Sequence, residues 1–106
     1  MTLISEDIYE EGSTIILDAF HRLLNKSIRI RIDIESVPSN SRGAGYVLTD
    51  NGYELVYIIR GEALETAKNE FNVYMPYEKK KNVQEFLEKD HQMIFDNTKR
   101  LLGIHY

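Results

Sequence analysis

A chain of 106 residues is the length of one domain, so residues 1–106 are read as a single unit, long enough to bury a core without covalent staples. Cysteine is absent, which excludes disulfides, thiol nucleophiles and cysteine-ligated zinc and suits a reducing, cytoplasmic setting. The net charge of −4 is concentrated in the first 25 residues, where Glu6, Asp7, Glu10, Glu11 and Asp18 are opposed by Arg22 alone, and acidic surface repels phosphate backbones.

The opening MTLISEDIYEEG has neither the basic nor the apolar stretch of a signal peptide, and no apolar run approaches the roughly 20 residues of a membrane span. From Ser5 to about Asn25, Ile8, Ile15, Ala19 and Leu23 recur at helical spacing, with Ser5 placed as an N-cap and Glu6 and Asp7 at the positive end of the dipole. This predicts a helix over 5–25. Gly12-Ser13 is its weak point, and Ser13 offers an alternative cap for a shorter helix.

Ile28 to Ile34 alternates Ile28, Ile30, Ile32 and Ile34 with Arg29, Arg31 and Asp33, a period of two that predicts a strand over 28–34. Glu35 to Gly45 is rich in Pro, Ser, Asn and Gly and reads as a loop, with Arg42 as a weak candidate for binding an anion. The loop lacks the Gly-Lys-Ser/Thr ending of a phosphate-binding loop and no helix follows it.

Tyr46 to Arg60 predicts a hairpin with strands near 44–50 and 53–60, turning at Asn51-Gly52, the dipeptide best suited to a type I′ turn. That register puts Tyr46, Leu48, Tyr53, Leu55, Tyr57 and Ile59 on one face, assigned to the core because it is larger and more aromatic. Val47, Thr49, Glu54, Val56, Ile58 and Arg60 share the other. Its apolar middle of Val47, Val56 and Ile58, rimmed by Arg29, Arg31, Glu54 and Arg60, has the layout of an interface.

Glu62 to about Asn72 predicts a short helix, Val73 to Met75 a connector or short fourth strand, and Glu78 to Leu102 a long helix stopped by Gly103. The expected fold is therefore α+β: a three-stranded antiparallel sheet with an N-terminal helix and two C-terminal helices, in the order α-β-β-β-α-α. Consecutive strands usually pair, so the Ile strand and the first hairpin strand are expected to be antiparallel neighbours, and the two sheet edges are expected to invite association.

Asp90 falls between Phe86, Leu87 and Ile94 in the apolar stripe of the last helix. A carboxylate there marks either a buried acid in a pocket or a side chain satisfied by a tyrosine, an arginine or a break in the helix. His21, His91 and His105 show no metal-ligand spacing, so no metal and no cofactor is expected. No serine lies in a nucleophile elbow. The residues favour a non-enzymatic protein-binding module: a small cytoplasmic adaptor, inhibitor or immunity-type protein, with a homodimer as one form of partnership. The alternative is a nucleic-acid-associated protein using Arg29, Arg31, Arg42, Arg60 and Lys79 to Lys81. A third reading is an enzyme acting through Asp90.

Overall fold

A computed structural model of the chain describes residues 1–34 and 42–103. Five strands come first: β1 (Leu3–Glu11), β2 (Thr14–His21), β3 (Lys26–Ile34), β4 (Gly43–Thr49) and β5 (Gly52–Ile59). Three helices follow: α1 (Glu62–Phe71), α2 (Pro76–Glu88) and α3 (His91–Leu101). The strands form one antiparallel meander in the order β1-β2-β3-β4-β5. The class is α+β, but the three-stranded sheet behind an N-terminal helix is replaced by five strands preceding every helix.

The predicted helix over 5–25 is a hairpin. Its weak point, Gly12-Ser13, is the turn, with Gly12 at φ +63°. Ile15, Leu17, Ala19 and His21 are all buried, a period of two that overrides the helical spacing seen in the sequence. Thr14, Ile15 and Ile16 are β-branched and lose less side-chain freedom on a pleated surface than in a helix.

The Ile strand pairs antiparallel with β4, as expected, and Ile28, Ile30 and Ile32 are buried. Gly43 and Gly45 belong to β4, not to the loop. A Cβ at Gly45 would meet the Tyr57 Cβ at 3.2 Å, and one at Gly43 would meet the Ile59 Cβ at 3.1 Å, so these glycines make room for the two side chains leaning over them. The rest of the expected loop, 35–41, lies outside the described residues.

The turn between β4 and β5 is shifted by one residue from the expected one. Thr49 pairs with Gly52, so Asp50 and Asn51 form the loop. Gly52 takes φ +96° while Asn51 does not take a positive φ, which excludes type I′. The Thr49 hydroxyl accepts the Asn51 N–H at 3.1 Å and lies 2.9 Å from both the Gly52 carbonyl and a Glu54 carboxylate oxygen, one of which takes its single proton. Gly52→Val is expected to lower stability by about 1–3 kcal/mol, seen as a lower thermal midpoint, because a β-branched residue is forced to positive φ. An unchanged midpoint would show that the turn relaxes freely.

The expected single helix over 78–102 breaks at Lys89–Asp90. The break lets α2, opened by Pro76 at its first turn, pack along β1 while α3 packs along β5. Val73–Met75 is a connector, not a strand. Phe71 of α1 meets Phe86 of α2 edge to face at 5.3 Å, and one apolar core fills the space between the helix layer and one face of the sheet.

Both outer strands are blunted, contrary to the expectation of open edges. β1 carries a bulge at Glu6, between the paired Ser5 and Asp7. From α2, the Glu88 carboxylate accepts the N–H groups of Thr2 and Leu3, and Gln84 accepts that of Ser5 at 2.7 Å. β5 carries a bulge at Val56, and the Asn97 amide of α3 donates to the Val56 carbonyl at 2.8 Å. A bulge and a borrowed side chain on each edge both discourage addition of a further strand.

Candidate functional site

The helices pack on one face of the sheet and the opposite face is open; at one end of it Leu101 and Leu102, at the close of α3, share a cavity of about 840 Å³ with Asp7, Tyr9, Asp18, Arg29 and Leu48. Strand register places the side chains of the open face in rows. One row runs Tyr9, Ile16, Arg31, Tyr46 and Leu55 from β1 to β5; next to it Asp7, Asp18 and Arg29 line up across β1 to β3, and Leu48 pairs with Tyr53 across β4 and β5. Ile4 and Phe20 pair at one end of this face and Ala44 and Ile58 at the other. Ile4, Tyr9, Leu48, Leu55 and Ile58 are 44%, 44%, 43%, 49% and 40% exposed, an unusual density of large apolar side chains for one open face.

The centre of the face is polar and internally paired. Arg29 lays its guanidinium fork on Asp18, with Nε and Nη2 donating at 2.7 and 3.0 Å, and stands 5.6 Å from the Tyr9 ring centroid. Arg31 donates from Nε to Asp33 at 3.2 Å and lies 5.9 and 5.7 Å from the Tyr46 and Tyr53 centroids. Thr14 donates to the same Asp33 oxygen at 2.8 Å. The aspartates hold both guanidinium groups firmly charged. Planar guanidinium groups held between carboxylate and aromatic partners lose little further freedom when a partner docks. At the rim, the Tyr9 side chain and the Ile8 N–H, bonded at 2.9 Å, keep the Asp7 carboxyl below its usual range, and Asp7 in turn raises the Tyr9 hydroxyl.

The residues expected to form an interface divide between the two sides of the sheet. Arg29, Arg31 and Ile58 are on the open face, and Arg60 is exposed just beyond the end of β5. Val47 and Val56 are in the core beneath the helices, 0% and 3% exposed, and Glu54 points to that same side beside Thr49. Tyr46, Leu48, Tyr53 and Leu55, assigned to the core, are on the open face; Tyr57 and Ile59 are buried as expected. Size and aromatic character do not mark the buried face here, because the smaller Val47 and Val56 fill the space under the helices. Tyr9, Ile16 and Asp18 were missed because their segment was read as a helix; the Gly-Ser turn amid β-branched residues was the available signal.

The basic residues of the nucleic-acid reading are not brought together. On the central strand, Arg29 is matched by Asp18 of β2 and Arg31 by Asp33, while Arg60 follows the β5 edge and Lys79 pairs with Glu10 at the β1 edge. Arg42 is exposed at the entry to β4.

Asp90 lies between α2 and α3 and accepts a hydrogen bond from the Tyr57 hydroxyl. Burial, and then this bond, push the Tyr57 hydroxyl well above its ordinary range. The pair joins the helix break to β5, at the floor of an open groove of about 660 Å³. Asp90 thus both bonds a tyrosine at a break in the helix and lines a groove, so the structure holds features of each reading its position allowed. Among the described residues, no three His, Asp or Glu side chains converge as a metal site would require, and no helix is long and apolar enough to cross a membrane.

Fold and face together define a one-sided α+β sheet: a helix-backed meander presenting an aromatic, arginine-centred surface. Comparison of the chain with protein-family models, curated proteins and solved structures finds no significant match to any of them.

Proposed function

We propose that the chain is a non-enzymatic protein-binding module that docks through the open face of its sheet. The observation that carries this is the uncovered five-stranded face itself, where half-exposed Leu48, Leu55 and Ile58 flank an ion-paired arginine–tyrosine centre. Covering one of these half-exposed side chains contributes on the order of 1 kcal/mol, so several together supply the apolar centre of an interface. The blunted edges direct association to the face instead of to strand addition. A cytoplasmic location belongs to the same proposal and rests on the cysteine-free composition.

The test uses the double variant Leu48→Asp/Leu55→Asp. Both side chains are outside the core, so its circular dichroism and urea midpoint are expected to match the wild type. Immobilised wild type is expected to retain a protein from cell extract that the variant retains at least about tenfold less well, since each lost anchor costs on the order of 1 kcal/mol. Equal retention by the two would remove the open face from the function.

A further inference from the structure

Resting on the docking role of the open face, we infer that its occupant is a basic protein surface with an apolar centre. The charges on the face are unevenly placed. Arg29 and Arg31 are each neutralised by an aspartate. Glu6, Asp7 and Glu11, along β1, are exposed and have no cation bonded to them among the described residues. Glu6 only accepts the Ser27 hydroxyl, at 3.0 Å. The opposite half of the face, over β4 and β5, is apolar: Leu48, Tyr53, Leu55 and Ile58.

The face is thus a carboxylate rim on one side and an apolar patch on the other. Three to four strand spacings separate them, about 14–19 Å. A matching surface carries Lys or Arg side chains at that distance from its apolar anchor. Opposite charges at the rim steer encounter and fix register, while the apolar contact supplies the affinity.

Other occupants fit less well. A second copy brings two carboxylate rims into one interface, with Arg42 and Arg60 as the exposed cations at the β4–β5 end of each copy to offset them. A nucleic acid meets the same rim with its phosphates and finds both central arginines already engaged. Strand addition is opposed at both edges.

The probe is a displayed library of a small helical scaffold randomised on one face, selected against the full chain and counter-selected against Leu48→Asp/Leu55→Asp. Selected clones are expected to be enriched in Lys and Arg over the input library and to weaken at least about tenfold between about 50 and 300 mM salt. Glu6→Lys/Glu11→Lys, which leaves the apolar half untouched, is expected to lose them by a similar factor while keeping the wild-type urea midpoint. Neutral or acidic winners, or binding indifferent to the charge reversal, would overturn the basic occupant and leave the docking face standing. Clones that bind the Leu48/Leu55 variant as well as the wild type would overturn the face itself, and the inference with it. A dimer in sedimentation that Leu55→Asp dissociates would put a second copy there and overturn the inference, as would tight binding of a single-stranded RNA oligonucleotide by the wild type.

Discussion

Val56→Asp is expected to unfold the protein, whereas Ile58→Asp, two residues along the same strand, leaves it folded. Val56 is the extra residue of the β5 bulge and is 3% exposed, within the apolar core. Its backbone carbonyl is already taken by Asn97. An aspartate there loses about 1.5–3 kcal/mol of apolar burial and, in addition, sets a carboxylate in a site without a partner. The total, roughly 5 kcal/mol or more, is comparable with the whole stability of an ordinary small domain, about 5–15 kcal/mol. Ile58 is 40% exposed on the open face, where an added charge stays hydrated and costs no more than about 1 kcal/mol. Circular dichroism with urea denaturation reads the contrast. A Val56→Asp variant with a native midpoint would mean that this side chain is not core.

Stability is expected to fall as pH drops below about 6.5, and His21→Leu is expected to remove much of that fall. His21 is fully buried, its ring stacked on Phe95 with centroids 5.5 Å apart. Its Nδ1 accepts the Leu24 N–H at 3.3 Å, which fixes the neutral tautomer with the proton on Nε2. Burial lowers the imidazole pKa from its ordinary 6.5 and nearby His91 lowers it further, against opposing pulls from the Glu88 charge and the His91 backbone.

The unfolded chain therefore binds a proton near pH 6.5 that the folded chain refuses until the pH is lower. Between those two values the unfolded state holds more protons, and one such group gives a limiting slope of about 1.4 kcal/mol per pH unit. His21→Leu forfeits the bond to Leu24, about 1 kcal/mol at neutral pH, but cannot titrate. Urea midpoints measured from about pH 8 down to pH 5 are expected to converge as the wild type loses its advantage. Parallel curves would show that His21 accepts its proton at no cost in the folded state.

What was legible in the sequence followed from strict periodicity, and what was not followed from single residues that shift a register. The Ile28–Ile34 alternation has one interpretation, and the strand is there. The hairpin from Tyr46 to Arg60 also exists, and up to Val56 its side chains group by face as alternation requires. Beyond Val56 the grouping inverts, because one bulged residue turns every later side chain over. Asn51-Gly52 marks the right place but supports two turns one residue apart, and Thr49's hydrogen bonds favour the other one. Residues 5–25 fit both a period of 3.6 and a period of two; tertiary burial of Leu17 and His21 decided between them. The candidate face was half legible: its arginines could be named from the Ile strand and Ile58 from the hairpin, but Tyr46, Leu48, Tyr53 and Leu55 were placed on the wrong side of the sheet. The helix break at Asp90 was visible only as an acid out of place in an apolar stripe.

The sealing of β1 by α2 also sets an order of events during synthesis. Thr2 and Glu88 are 86 residues apart, and Ser5 and Gln84 are 79 apart. At a ribosomal rate of roughly 5–20 residues per second, the first hairpin waits on the order of 4–17 s for the side chains that close its outer edge. For that interval the nascent meander presents free backbone donors and an unbacked row of isoleucine and leucine. Such a species is one that a chaperone can hold and that two neighbouring nascent chains can join. The yield of native protein is thus expected to depend on how fast the last third of the chain is made, and less on how stable the finished fold is.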